Sequence, residues 1–217
     1  FEKNVGQSPD IGAIMAEAFR QLRSGRIRPV AVEAPWDVFG LRAEIGSVTA
    51  PLPAAQPPSP DPAALAAAVS LIAKARRPLI SVGAGALAAG ADILELARVL
   101  QAPVTAHRSG KGIVSEESPY GLSMVAAWEY WQQCDLLIGI GSRLELQHLR
   151  WRWMPPGLKT IRIDIDPTEM VRLRPDAGMV TDAALGTRAL LGALPARMAS
   201  TENREELFGQ LKQRARS

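Results

Sequence analysis

Strands that alternate with helices along most of the chain predict an α/β fold: a Rossmann-like parallel sheet of about six strands with helices on both faces. The strand-like segments are apolar along their whole length, which is typical of strands covered on both sides. Hydrophobic residues make up 47% of the 217 residues and charged residues 22%, so a sizeable core can form and a disordered chain is excluded.

A helix and a strand precede the main domain. Ser8 can cap a helix that ends at Gly25, and its apolar residues fall on one stripe: Ile11, Ile14, Met15, Ala18, Phe19 and Leu22. A short buried strand is expected over residues 29–33. Because the stripe requires burial, we expect it to pair with the same segment of a second copy, through the edge of residues 30–32.

Six of the 17 prolines lie between residues 51 and 62, which indicates an extended, semi-rigid connector. We therefore expect four regions: residues 1–45, a connector over 46–62, a central domain over 63–196 and a final helix over 197–217. The chain begins with Phe1 rather than Met, which suggests a piece of a longer protein.

The central domain reads as a regular series. The sequence predicts one helix that begins at Asp61 and a second helix that contains Ile93. Further helices are predicted over residues 120–133 and 184–194. Predicted strands cover residues 78–82, 103–106, 135–141, 159–166 and 179–181.

In an open parallel sheet, ligands bind at the carboxyl ends of the strands. Gly83 and Gly85 follow the first strand, but the next glycine, Gly90, does not complete a dinucleotide fingerprint. These glycines could approach a phosphate or could simply form a tight turn. Gly141 and Arg143 follow another strand, and the arginine could bind a phosphate or form a surface ion pair.

Asp164 and Asp166 end the next strand. A carboxylate there can bind both hydroxyls of a ribose. For Asp166 we favour a simpler role as a helix N-cap before Pro167.

Few other residues suggest catalysis or metal binding. His107 and His148 have no metal-ligand spacing and are interpreted as structural or solvated, and Cys134 as a small core residue. No phosphate-binding loop, serine nucleophile elbow or zinc-protease motif occurs. A net charge of +3 without a basic cluster argues against nucleic-acid binding, and the basic tail is interpreted as a solvated face: Lys212, Arg214 and Arg216.

Four tryptophans, at positions 128, 131, 151 and 153, surround the strand of residues 135–141. They predict packing, or a surface in the loop at Trp151 that another domain covers. A single cysteine fits a reducing compartment, so a cytoplasmic location is expected, and no apolar run approaches the ~20 residues that a membrane span requires.

The ordered motifs resemble the central domain of thiamine-diphosphate-dependent enzymes such as acetolactate synthase, benzoylformate decarboxylase and oxalyl-CoA decarboxylase. Residues 25–38 are similar to the end of that family's pyrimidine-binding domain. The similarity continues over residues 77–85, 103–119, 134–144 and 163–167.

The resemblance implies that the catalytic parts lie outside this sequence. The family's Gly-Asp-Gly motif, which holds the diphosphate and Mg²⁺, is absent, and only Asn4 and Asn203 could supply an asparagine. The family's cofactor-activating glutamate is absent too. We therefore expect no catalytic residue and no metal ligand here, with thiamine diphosphate and Mg²⁺ bound only in a full-length parent that acts on 2-keto acids by decarboxylation or carboligation.

In relatives that hold a nucleotide, the resemblance maps FAD or ADP onto seven positions: Gly83, Gly85, Gly141, Arg143, Asp164, Ile165 and Asp182. Other relatives bind nothing there, and the domain is then architectural. Implied partners are the parent's neighbouring domains and further copies of the chain, with no nucleic acid and no membrane. Two alternatives stay open: the nucleotide-binding domain of a nicotinamide-dependent oxidoreductase, and a non-catalytic interaction module.

Overall fold

The computed structural model describes residues 2–4, 6, 11–42, 44, 50–195 and 203–216. The chain divides into two compact units, residues 1–57 and 58–217. Their boundary falls inside the proline-dense stretch of residues 51–62. Each unit has its own elements.

The described residues of the first unit form a parallel strand pair and two helices. Its elements are β1 (Glu2–Asn4), α1 (Ile11–Arg23), β2 (Ala31–Glu33) and α2 (Trp36–Gly40). β1 pairs with β2, with Lys3 opposite Val32. The sequence analysis missed β1 and α2, because a three-residue strand and a five-residue helix carry almost no periodicity.

The helix predicted over residues 8–25 is present as α1, and Gly25 follows it with φ +58°. Ser8, the predicted cap, lies outside the described residues. In the apolar stripe Ala18 is buried and Ile14 is half-buried, but the other four residues stay partly exposed, from 37% at Leu22 to 52% at Phe19. β1 occupies one edge of β2, which leaves less strand edge than expected. Pairing of this segment with a second copy stays a prediction.

The second unit contains the main sheet. In chain order its described elements are α3 (Pro62–Lys74), β3 (Pro78–Val82), α4 (Gly90–Leu100), β4 (Val104–Ala106), β5 (Gly121–Leu122), α5 (Met124–Trp131), β6 (Leu136–Ile140), β7 (Lys159–Asp164), α6 (Thr168–Arg172), β8 (Ala177–Val180), α7 (Ala183–Ala193) and α8 (Glu205–Arg214).

The six strands of this unit form one parallel sheet in the order β5-β4-β3-β6-β7-β8. β3 and β6 are buried at every residue, and Ile80 lies opposite Ile138, which in turn lies opposite Ile161. The apolar runs therefore form the covered centre of the sheet. This confirms the predicted α/β class and the number of strands.

Helix 120–133 was predicted too long. Residues 121–122 instead form β5, which pairs with β4, and the helix begins at Met124. The Ser123 side chain accepts a hydrogen bond from the Ala126 amide at 3.3 Å, and this cap fixes the start of α5. At Gly121 an added Cβ would collide with the Ser115 carbonyl oxygen, so the backbone there approaches a neighbouring loop closely.

Helix α8 packs against helix α5. Phe208 is fully buried and meets the rings of Tyr120 and Tyr130 edge-on, at 6.0 and 5.9 Å between centroids. The basic tail is solvated as predicted at Arg214 and Arg216, whose side chains are 52% and 71% exposed, whereas Lys212 is half-buried. Lys212 Nζ donates to the carbonyl oxygens of Glu116, at 2.9 Å, and Ser118, and Arg214 pairs with Glu129 of α5 at 2.7 Å.

None of the helices in the described ranges is both long and apolar enough to cross a bilayer.

Candidate functional site

The seven residues predicted from the sequence follow the carboxyl ends of four neighbouring strands. Gly83 and Gly85 follow β3, and Gly141 and Arg143 follow β6. Asp164 ends β7 with Ile165 directly after it, and Asp182 follows β8. Because these strands are adjacent and parallel, all seven positions lie along one edge of the sheet. We call this row the strand-end edge.

The glycines of the strand-end edge bring two loops into contact. The Gly83 amide donates to the Ile140 carbonyl at 3.2 Å, and the Gly85 amide to the Gly141 carbonyl at 3.1 Å. A Cβ at Gly83 would collide with the Gly141 carbonyl oxygen and lie 2.7 Å from Ser142 Cα. Gly141 itself has φ +53°. These contacts support the tight-turn interpretation and leave fewer free amides to face a phosphate.

Arg143 is half exposed and lies between two carboxylates. Its guanidinium is 3.7 Å from Glu145 and 3.4 Å from Glu169. Glu145 also approaches Arg108 at 3.5 Å. The arginine therefore already takes part in ion pairs, which was the simpler of the two interpretations drawn from the sequence.

A buried arginine that the sequence analysis missed lies under this edge. Arg162 of β7 is 0% exposed, and its Nη2 donates to Glu169 Oε2 at 3.0 Å and to the Ser142 carbonyl at 2.8 Å. Arg172 donates to the same Glu169 carboxylate at 2.6 Å and also to the Arg143 carbonyl. Two guanidinium groups thus hold consecutive carbonyls of the loop that follows β6.

Glu169 is the centre of this network and is 3% exposed. Burial alone would raise its pKa, but hydrogen bonds from Arg172 and Arg162 outweigh burial and hold the pKa below its ordinary value. A signal was available in the sequence, because Arg162 lies between Ile161 and Ile163 in a strand, and a buried arginine requires an acidic partner.

The aspartates of the edge mostly bind their own backbone. Asp164 Oδ1 accepts from the Asp166 amide at 3.0 Å. Asp166 Oδ1 accepts from the Thr168 amide at 3.0 Å, as expected for a residue that caps the start of α6. Asp182 Oδ1 accepts from the Ala184 and Leu185 amides and caps α7. Ile165 lies half-buried between the first two aspartates.

A concave region lies near the carboxyl ends of β4 and β5, at the same edge of the parallel sheet. It is a cleft of about 530 Å³ between the end of β4, helix α5 and a single π-helical turn, Leu146–Trp151. We call it the aromatic cleft, and six residues line it: His107, Met124, Val125, Trp128, Arg150 and Trp151. Trp151 was expected in a polar loop, but it ends this helical turn.

The walls of the aromatic cleft are packed indole rings. Trp151 lies 5.5 Å from Trp128 and 5.2 Å from Trp131 between ring centroids. Trp131 Nε1 donates to the Trp153 carbonyl at 2.8 Å. The tryptophans therefore pack as predicted and also present ring surface to a cavity.

His107 was interpreted as structural or solvated, yet it lines this cleft. Burial lowers the pKa of its imidazole, and the nearby charges of Arg108 and Arg150 lower it further, so His107 is neutral near pH 7. By contrast, Cys134 is a buried core thiol as predicted, and burial raises its pKa. In the described part of the chain no three His, Cys, Asp or Glu residues are grouped so that they could hold a metal ion.

Comparison with known proteins places these features in a family context. The model of the family described as "Thiamine pyrophosphate enzyme, central domain" matches residues 65–190. The chain is 36% identical over 196 residues to the acetolactate synthase large subunit of Parasynechococcus marenigrum strain WH8102, covering 83% of this chain and 32% of that protein. It is 32% identical over 200 residues to the oxalyl-CoA decarboxylase of Escherichia coli K12, covering 88% and 35%.

Among solved structures, the benzoylformate decarboxylase of Polynucleobacter necessarius has the same fold. It superposes with a TM-score of 0.73 at 18% identity, over 92% of this chain and 38% of that one. The present chain spans about a third of the length of the curated relatives named above.

Proposed function

Because this chain belongs to the thiamine pyrophosphate enzymes, whose central domain its residues 65–190 match, we propose that it is the middle part of an enzyme that decarboxylates or joins 2-keto acids. The observation that carries this proposal is the extent of the match. It covers most of this chain but only about a third of each relative. The rest of such a protein would supply the catalytic groups.

In this proposal thiamine diphosphate and Mg²⁺ bind outside the present sequence. The sequence has no Gly-Asp-Gly motif, and the described residues offer no cluster of metal ligands. The bound cofactor would supply an electron sink for the reacting carbonyl compound. The present residues would do something different: a sheet whose central strands β3 and β6 are buried at every residue would fix the relative positions of the neighbouring catalytic domains.

Calorimetry on the chain, with thiamine diphosphate and Mg²⁺, tests this division of labour. We expect no saturable binding and no decarboxylation of pyruvate or benzoylformate. The positive control is the full-length parent protein. Its reading frame should encode a Gly-Asp-Gly motif after this segment and a glutamate before it. Saturable cofactor binding by the chain alone would overturn the domain assignment.

A nucleotide at the strand-end edge is a second candidate role. It is favoured by the seven predicted positions on four adjacent strand ends and by the half-exposed guanidinium of Arg143. FAD or ADP would lie with its adenosine nearest Asp164 and its phosphates near Gly83. The amides of Gly83 and Gly85 are already hydrogen-bonded, so the glycine loop would have to reorganise to bind a phosphate.

Titration with FAD, ADP and NAD separates the candidates. Binding of FAD or ADP that weakens in Arg143→Ala supports a nucleotide site. Tight binding of NAD alone would favour the nicotinamide-dependent alternative, and no binding favours an architectural or interaction domain.

The partners in this proposal are the parent's neighbouring domains and a second copy of the chain, in the cytoplasm. Light scattering of the chain beside a version that begins at Pro51 tests the pairing through α1. A monomer at micromolar concentration would contradict it.

A further inference from the structure

We propose that a water molecule is bound inside the second unit, where it accepts a hydrogen bond from the Thr105 hydroxyl and donates one to the side-chain carbonyl of Gln147. The two oxygens, Thr105 Oγ1 and Gln147 Oε1, are buried and have no hydrogen-bond partner among the described residues. Thr105 is 1% exposed and Gln147 is 0% exposed. A buried oxygen without a partner destabilises a fold, and native structures rarely leave one.

The register of the sheet places these two groups on one face. Ser81 of β3 lies opposite Thr105 of β4, and residues at one level of a parallel pair point their side chains to the same side. Gln147 reaches that face from the π-helical turn, because its Nε2 donates to Ser81 Oγ at 3.1 Å. The Gln147 amide is therefore held on β3, one strand away from the Thr105 hydroxyl.

The spacing of the strands suits a single water. Neighbouring strands lie ~4.8 Å apart. A direct hydrogen bond between two oxygens spans only ~2.7–2.8 Å, whereas two such bonds through one water span up to ~5.5 Å. With Ser81 Oγ as a third neighbour, the site offers the number of polar partners that a buried water requires.

Apolar side chains close the site on both sides. Gly139 of β6 lies opposite Ser81, and a Cβ there would be 2.9 Å from Leu144 Cδ2, so the leucine covers this glycine. Leu122 of β5 lies opposite Thr105 and is 2% exposed. An enclosed polar site between apolar walls retains one ordered molecule and keeps it apart from bulk solvent.

The bound water joins the π-helical turn to a second strand. The turn is already attached to β3 by the bond from Gln147 to Ser81, and the water extends that attachment to β4. π-helical turns are rare and are wider than α-helical ones, so a polar link from within such a turn to the sheet favours this geometry. Thr105 and Gln147 are not among the seven positions of the strand-end edge.

A crystal structure of the intact chain that resolves ordered water tests the site directly. We expect one density peak within ~2.7–3.2 Å of both Thr105 Oγ1 and Gln147 Oε1. A direct hydrogen bond between the two side chains, or the lack of a peak that reaches both oxygens, would overturn the proposal.

The substitution Thr105→Val distinguishes a hydrated hydroxyl from an orphaned one by the sign of its effect. Loss of the bond to the water should raise the equilibrium constant of unfolding about fivefold, measured by urea denaturation. Replacing an orphaned hydroxyl by a methyl group would instead lower that constant. Thr187→Val is the matched control, because Thr187 is 0% exposed and its hydroxyl donates to the Ala183 carbonyl at 2.7 Å. Both variants should lose stability, and a gain in Thr105→Val alone would contradict the bound water.

A double-mutant cycle tests whether one molecule joins the two side chains. The losses caused by Thr105→Val and Gln147→Met should overlap, so the double variant should lose less than the product of the two single effects. Thr187→Val combined with Gln147→Met should give the full product, because the Thr187 hydroxyl bonds within its own helix. A full product in both pairs would show that no water is shared.

Discussion

The strand-end edge and the aromatic cleft belong to the same compact unit but use their polar groups in opposite ways. At the edge, glycine amides bond to carbonyls, aspartates bond to helix starts, and Arg162 and Arg172 bond to Glu169. In the cleft, Arg150 is unpaired among the described residues and its neighbours are indole rings.

The comparison distinguishes polar groups that hold the fold together from polar groups that have no protein partner. A group that already has good partners must give them up before it binds a ligand, which costs part of the gain. A cation without a partner has no such cost beyond its hydration. The polar groups of the strand-end edge are therefore already bound to one another, whereas Arg150 of the cleft is exposed to solvent.

The largest effect is expected from Arg162→Ala at the edge. Removing a fully buried guanidinium leaves the Glu169 carboxylate partly uncompensated, so the free energy of unfolding should fall by about 3–5 kcal/mol. Urea denaturation measures it. Arg98→Ala, in an exposed pair with Glu95, should change it by less than about 1 kcal/mol. Equal effects of the two substitutions would show that the buried network is not important for stability.

A smaller loss is expected from Gly83→Ala. The new methyl group would meet the Gly141 carbonyl oxygen and Ser142 backbone, so unfolding free energy should fall by about 1–3 kcal/mol. Gly209→Ala is the matched control, because nothing lies within 4 Å of that position inside α8. It should stabilise by about 0.5–1 kcal/mol. A neutral Gly83→Ala would mean that the two loops separate easily.

The pH dependence of stability should report Glu169. Its pKa is lowered in the folded state, so its stabilising effect is complete above the unfolded value and is lost as pH falls through the folded pKa. Urea unfolding between about pH 6 and about pH 3 should show a decline that Glu169→Gln makes shallower. Asp176, whose pKa is also lowered, contributes in the same range, so the slope should not vanish. An unchanged slope in Glu169→Gln would contradict this assignment.

The smallest change in stability is expected from Arg143→Ala. Half exposure screens its ion pairs, so the free energy of unfolding should change by less than about 1 kcal/mol. If the edge binds ADP, the same substitution should weaken that binding about tenfold. Arg174→Ala, at an exposed arginine just after α6, should not weaken it. Calorimetry compares the two variants. A large loss of stability would make Arg143 part of the structural network instead.

The sheet could be predicted from the sequence because each of its longer strands is marked by a run of neighbouring apolar residues. β6 is an unbroken apolar run and β3 is apolar except for Ser81, and a parallel sheet follows from their alternation with helices. β5 was missed because two residues carry no period, and its pairing with β4 depends on a loop closing behind Gly121.

The sites were harder to predict, for a physical reason. The positions of the strand-end edge follow from topology alone, but the pairing of Arg162 with Glu169 requires β7 and α6 to fold against each other. The aromatic cleft joins residues 107, 124–128 and 150–151, and no sequence motif links those segments. Packing of tryptophans was foreseen, and the cavity between them was not.

Helix α8 is joined to α5 by an ion pair and by packed aromatic rings. Its Arg214 forms an ion pair with Glu129 on α5, and Lys212 donates hydrogen bonds to carbonyls of the loop before β5. Phe208 packs against the rings of Tyr120 and Tyr130. Removal of α8 would therefore uncover Tyr120 and Tyr130 and leave Glu129 without its ion pair. The helix that carries Met124 and Trp128 thus depends on the last described helix of the chain for part of its burial.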